Sequence, residues 1–246
     1  MSRSVKLSLI ILLVLVLDQA LKFWVKTSMQ YDTSFDLLGL SWAKIRFVEN
    51  NGMAFGIEIG NSEESRMLGK YALSVFRIIA VIFLLYYLRL LEKKGASMGL
   101  LVSFAFVLAG AIGNIIDSAF YGMIFSESVR HGEIATLFPE GGGYSGFLRG
   151  KVVDMFYFEI ARGYFPAWFP FWKGEEYIFF RPVFNIADTA ITTGVLSIIV
   201  FYRRFFSEFE EERTITSPTE EEVTAESSTT ETEAPTKPRA SGEEEE

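Results

Sequence analysis

Apolar residues dominate four long runs of the chain, at 5 to about 25, 69–91, 99 to about 116 and 182 to about 202. Each run is close to twenty residues. At 1.5 Å per residue, a helix of that length crosses a hydrocarbon core about 30 Å thick. The pattern therefore predicts an α-helical membrane protein with four transmembrane helices, at about 5–25, 69–91, 99–117 and 182–202. Between the first two, Trp42-Ala43-Lys44-Ile45-Arg46-Phe47-Val48 alternates with the period of a strand. Asn50-Asn51-Gly52 is a turn signal, and 53–57 reads as the returning strand of a small extracytoplasmic sheet spanning about 40–58. Residues 118–181 predict a long loop outside the membrane, with an inserted part at about 123–150. Gly141-Gly142-Gly143 marks a flexible point in it. The stretch 165–172 is aromatic and broken by prolines, and its rings suit the level of lipid headgroups.

Composition agrees with the pattern: half of the residues are hydrophobic, 24 are Phe, and mean hydropathy is +0.25. The net charge of −8 belongs to the end of the chain, because 207–246 holds 14 Glu against three Lys/Arg. This Glu/Thr/Ser/Pro-rich tail has too little apolar surface to offset the entropy of ordering, which predicts disorder and a membrane domain of 1–206. There is no cysteine, so disulfides, thiolate nucleophiles and thiolate-bound metals are excluded. The single His131 cannot build a multi-histidine metal site, and no alternating run of acids suggests a hard cation. Neither cofactor nor metal is expected. Arg3 and Lys6, then Arg89, Lys93 and Lys94, then Arg203 and Arg204 fall on one side of the four spans. By the positive-inside rule both termini are cytoplasmic and the long loops face out. The first run also resembles a signal peptide, but no small-x-small cleavage site follows and the run continues through Asp18, Gln19 and Lys22, so it reads as a retained helix.

Ionisable groups in spans are expensive and call for a reason. Here they gather toward the outer ends: Asp18 and Lys22 in the first span, Asn114 and Asp117 closing the third, Asn185 and Asp188 opening the fourth. Asp154 lies in the outer loop, inside an apolar run, and reads alternatively as a strand residue facing water. Asn114/Asp117 and Asn185/Asp188 are each three apart and share a helix face. Asp18 with Lys22 reads as an orienting ion pair. Asn114 reads equally as packing glue or site residue, and Asp117 equally as the partner of a basic loop residue. Asp188, about two turns into its span with no basic residue three or four positions away, needs another partner or a proton. Two poorly solvated carboxyls suggest an aspartyl dyad in which one proton is shared, one carboxylate activates water and the other polarises a carbonyl. Serine chemistry at Gly143-Tyr144-Ser145-Gly146 with His131 is a weaker rival, since both lie in a polar loop without a rigid scaffold. A small proton-coupled transporter or channel subunit is the alternative from another class, although no repeat is visible and the acids lie toward one face. A scaffold acting through the acidic tail is a third.

Five motifs in order resemble the prolipoprotein signal peptidases, the type II signal peptidases of bacterial inner membranes. They are Asp18-Gln19 with Lys22, Asn50-x-Gly52-x-Ala54-Phe55, Gly113-Asn114-x-x-Asp117, Val152-Val153-Asp154-Met155 and Phe184-Asn185-x-Ala187-Asp188-x-Ala190-Ile191. The resemblance covers about 5–204. It implies an aspartyl endopeptidase that removes signal peptides from diacylglyceryl-modified prolipoproteins, cutting before the lipidated cysteine. It implies Asp154 and Asp188 as the catalytic dyad. Asn50, Gly52, Asn114, Asn185, Asp18, Lys22 and Asp117 would bind substrate or support the site. It further implies a monomer at the inner membrane, partnered by lipid and substrate and by no nucleic acid, with its site at the periplasmic face. Two positions depart from the family: Ser118 and Glu49 stand where it usually has arginine.

Overall fold

The structure is a computed structural model and describes residues 1–51, 62–166, 168, 171–172, 174–179 and 182–202. Gly52, the expected return strand at 53–57 and the tail from 207 lie outside the described residues.

Among the described residues, three helices are long and apolar enough to cross a membrane. The first, α1 (Arg3–Ser28), starts where the Ser2 hydroxyl accepts from Val5 N at 3.3 Å. After it come β1 (Ser34–Leu37) and β2 (Leu40–Asn50), then α2 (Glu63–Lys93), which opens on a reciprocal Ser62/Ser65 capping box. Next is α3 (Met98–Ile116), capped by Ser97. It passes into a π-helical turn, Asp117–Tyr121, and a last turn, α4 (Gly122–Ile124), so the third apolar span runs on to 124 rather than stopping near 117. Exposed apolar residues such as Leu12, Leu13 and Val16 on α1 and Phe76, Ile79 and Phe83 on α2 form faces that suit lipid.

The chain then forms β3 (Val152–Phe158), β4 (Ala161–Tyr164), β5 (Glu176–Phe179), β6 (Val183–Phe184) and α5 (Ile186–Phe201). The fourth span was expected from about 182, but its first residues are strand. Val183 and Phe184 pair with Tyr157 and Phe156 of β3, and the helix starts only after Asn185. Asp154 lies in β3, in keeping with its strand reading, but is buried rather than facing water.

The four-stranded sheet has the order β1-β2-β3-β6. The described partners of β2 are β1, before it in the chain, and β3, about a hundred residues later, while the return strand expected at 53–57 lies outside the described residues. Leu38 and Gly39 join β1 to β2 with φ of 53° and 76°, the positive angles that a two-residue hairpin turn needs. Ala43, Ile45 and Phe47 alternate inward along β2. Ile45 and Phe47, with Val25, Tyr121, Phe125, Val153 and Met155, form the core that seats the sheet on the ends of α1 and α3.

Close backbone approach holds α5 against α3. A Cβ added to Gly110 would stand 2.2 Å from the Ala187 carbonyl oxygen, and one on Gly113 would stand 2.8 Å from Asp18 Oδ2. Small residues there let the helices meet. Gly110→Ala is expected to cost about 1–3 kcal/mol through overpacking, read as a lower melting temperature in detergent. Gly141→Ala, with nothing within 4 Å of the added Cβ, serves as the neutral control.

Candidate active site

Asn185-Ile186-Ala187-Asp188 closes on itself as a helix cap. Asn185 Oδ1 accepts from Asp188 N at 2.8 Å, and Asp188 Oδ2 accepts from Asn185 N at 3.3 Å. This is the reciprocal arrangement of a capping box, with an acid in the first turn where the helix dipole favours it. Asp188 therefore stands in the first turn of α5, not two turns inside it. Its other oxygen accepts from Asn114 Nδ2 at 2.9 Å.

The same cap reaches the strand. Asn185 Nδ2 donates to Asp154 Oδ1 at 2.7 Å and lies 3.3 Å from Val153 O and 3.2 Å from Asn114 Oδ1. Asn50 Nδ2 stands 3.5 Å from Asp154 Oδ2. Position 154 is thus held from β2, where Val48 is its register partner, and from the start of α5. A bulge between Ile45 and Val48 shifts the β2–β3 register just before this point. Asp154 is buried and Asp188 half-buried, so the pair opens on the Asp188 side. Burial, and next the like charge of Asp188, push the Asp154 carboxyl up to about 7 against the pull of Lys22 and of its asparagine donors.

Beneath lies a buried ionic layer. Lys22 Nζ is 2.9 Å from Asp18 Oδ2 and 2.8 Å from Asp117 Oδ2, and it donates to Asn114 Oδ1 at 3.0 Å. Asp18 Oδ1 accepts from Ala187 N at 2.8 Å, so a side chain of α1 caps α5. Asp117 Oδ2 accepts from Val153 N at 3.2 Å, fixing the residue before Asp154. Gln19 Nε2 bridges Asp18 and Asp117 at 3.1 and 2.9 Å, and its carbonyl accepts from Tyr121 Oη at 3.2 Å. The partner of Asp117 is therefore a lysine inside α1, not a basic loop residue. Asn114 is more than packing glue, because it touches both Lys22 and Asp188.

Asp18, Lys22, Asn50, Asn114, Asp117, Asp154, Asn185 and Asp188 thus form one connected set. Ser145 and His131 do not form a second. Ser145 packs on Gly122, while His131 lines a separate surface cavity of about 180 Å³ with Asp32 and Arg130, and no hydrogen bond joins the two among the described residues. No cluster of three or more metal-ligating side chains occurs among the described residues.

A family model described as signal peptidase (SPase) II matches residues 10–204. The chain belongs to the signal peptidase II family. The lipoprotein signal peptidase of Porphyromonas gingivalis is 50% identical over 199 residues, covering 80% of this chain and 83% of that protein. Those of Amoebophilus asiaticus and Chlorobium phaeobacteroides are 39% and 32% identical, over 78% and 79% of this chain and 75% and 94% of theirs. A bacterial membrane enzyme solved in meso is 23% identical with a TM-score of 0.50, covers 87% of this chain and 93% of its own, and supports the fold. The chain is accordingly an aspartic-type signal peptidase and a bacterial membrane protein that processes lipoprotein precursors. The transporter alternative finds no support among these relatives.

The two positions at which this signal peptidase departs from the usual pattern have cationic partners drawn from helices. Glu49 pairs with Lys26 of α1, whose ammonium also donates to Ser128 at 2.9 Å and lies 5.2 Å from the ring centres of Phe125 and Tyr144. Ser118 meets Arg77 of α2 at 3.4 Å, and the charge of Arg77 acts on Asp188, Asp117 and Asp154. Reading the sequence singled out none of these cations as a site partner. Their only signal was position, a Lys one turn beyond Lys22 and an Arg inside an apolar span.

Proposed function

We propose that Asp154 and Asp188 are the catalytic dyad of a peptidase that cleaves diacylglyceryl-modified prolipoproteins just before the lipidated cysteine. The observation that carries this reading is the Asn185 cap, which bonds Asp154 through its side chain and Asp188 through its backbone. The shared proton sits on Asp154, whose burial favours the neutral form and which then polarises the scissile carbonyl. Asp188, at the open side, takes the proton from the attacking water. In collapse of the tetrahedral intermediate, the leaving amine recovers a proton from the pair. Asn50, Asn114 and Asn185 hold the carboxyls, while Asp18, Lys22 and Asp117 orient the elements that carry them. Gly52, outside the described residues, belongs to the substrate-binding set by its motif. The site lies at the periplasmic face of the inner membrane, both termini are cytoplasmic, and the enzyme works as a monomer in contact with lipid, without nucleic acid. The substrate's acyl chains stay in the bilayer, which concentrates it beside the dyad, so little affinity has to come from peptide sequence.

The test is cleavage of lipidated against unlipidated precursor in proteoliposomes, with the new terminus located by mass spectrometry. Only the lipidated form is expected to be cut, before its modified cysteine. A raised carboxyl pKa means that the proton is present below about 7 and lost above it. The rate is therefore expected to fall up to about tenfold per pH unit above 7 as Asp154 loses its proton. A rate still rising at pH 8.5, or proton flux that needs Asp188 without cleavage, would count against the dyad.

A further inference from the structure

One part of the outer surface takes no part in the chemistry above. Between β3, which carries Asp154, and β6, which leads into Asp188, the chain makes a separate two-stranded hairpin. In it β4 pairs with β5, from Ala161 opposite Phe179 to Tyr164 opposite Glu176. Phe165 N donates to Glu175 O at 2.9 Å and Gly174 N to Phe165 O at 3.1 Å, so the ladder continues one step into the tip. Gly174 has φ of +77°, which lets the tip turn back.

The described rings of the tip are exposed. From 165 to 172 the sequence has five aromatic residues, two prolines and an alanine, with no charge. Trp168 and Phe171 are 78% and 80% exposed, Tyr164 at the tip end of β4 is 70% exposed, and Ile160 near the base is 60% exposed. The Phe165 and Trp172 rings lie 5.7 Å apart and those of Phe171 and Trp172 6.2 Å apart, so the tip is an aromatic cluster. In water such a cluster is costly and marks an interaction surface.

Its surroundings identify the partner. The base of the hairpin is moored beside the start of the apolar helix α5: Tyr157 pairs with Val183, three residues before α5 begins. A row of rings already runs across the sheet at this level. Trp24, toward the outer end of α1, meets Phe35 of β1 at 6.1 Å, and Trp42 meets Phe158, which meets Phe184, at 6.0 and 5.5 Å. Tryptophan and tyrosine gather where bilayer meets water. A run of rings without charges from 165 to 172, followed by Lys173, matches that boundary better than a protein partner, whose recognition would draw on more charged and hydrogen-bonding groups.

We propose that the β4–β5 hairpin dips its aromatic tip into the outer leaflet beside the mouth of the site, as a second membrane anchor placed between the elements carrying the two aspartates. It sets the depth at which Asp154 and Asp188 meet a lipid-anchored substrate. The anchoring does not depend on the peptidase reading, and its test does not use cleavage.

The chain has no cysteine, so single reporters can be placed without removing any native residue. Trp168→Cys and Phe171→Cys, each carrying a nitroxide and reconstituted as the full chain in phosphatidylcholine/phosphatidylglycerol nanodiscs, are read by electron paramagnetic resonance. Glu133→Cys in the long outer segment is the water-exposed reference. At 168 and 171, collisions with oxygen are expected to exceed those with a water-soluble nickel chelate several-fold, with the order reversed at 133. Nickel-dominated collisions at 168 and 171 would overturn the proposal. So would low access to both reagents, which means burial against protein, and so would spin–spin broadening that reports a second copy of the chain. An inactive preparation whose tip labels still face lipid would sink the dyad and leave the anchor standing.

Discussion

Asp154→Asn and Asp188→Asn are each expected to reduce cleavage of lipidated precursor by about 10³-fold or more, in the range that loss of a positioned acid or base costs. Shape is nearly conserved in both. Asparagine at 188 can still accept from Asn185 N and keep the cap, and asparagine at 154 can still accept from Asn185 Nδ2. What each change removes is the ability to hold or pass on a proton. The proteins should therefore insert and melt close to the parent, and the double variant should be little worse than either single one, because the pair acts as a unit. A gel-shift assay in proteoliposomes, run beside thermal melting, separates the two effects. Cleavage within a few-fold of the parent by either variant would show that the dyad has been wrongly assigned.

Lys22→Met carries the largest expected loss of stability. Lys22 is fully buried, and its ammonium is the shared counterion of Asp18 and Asp117. Removing it strands two carboxylates away from water, and breaking a buried pair in this way costs about 3–5 kcal/mol. The damage should reach the site, since Asp18 caps α5 at Ala187 and Asp117 holds Val153. Melting temperature in detergent is the readout. Lys22→Met combined with Asp117→Asn should recover part of the loss, because the second change removes one stranded charge. If the double variant is no more stable than Lys22→Met alone, uncompensated charge is not the cause.

The sequence made the residues of the site legible but not their geometry. Asn185 and Asp188 stood out as a pair three apart on one helix face. Their real relation is a cap, hidden because the apolar run begins at Pro182 and reads as helix from there. Val183 and Phe184 are apolar enough for either state, and only pairing with β3 makes them strand. Asp154 was legible as a strand residue but not as a buried one, although continuous apolarity is what a buried central strand produces. The turn at Leu38 and Gly39 carries a weak turn signature, because leucine is an unusual occupant of a positive-φ position. The Lys22 layer was half legible: the i,i+4 spacing gave Asp18, while Asp117 and Asn114 required knowing how α1 packs on α3. Lys26 with Glu49 and Arg77 with Ser118 join residues 23 and 41 positions apart, and no local pattern announces such pairs.

The Asn185 bridge has a consequence for inhibition. Strand and helix are tied through one side chain, so both acids present fixed hydrogen-bonding positions before any substrate arrives. A compact compound carrying a tetrahedral hydroxyl in place of the scissile carbonyl would find these partners already arranged and spend little free energy ordering them. Small, stiff scaffolds should therefore outperform long flexible peptide mimics of equal apolar area.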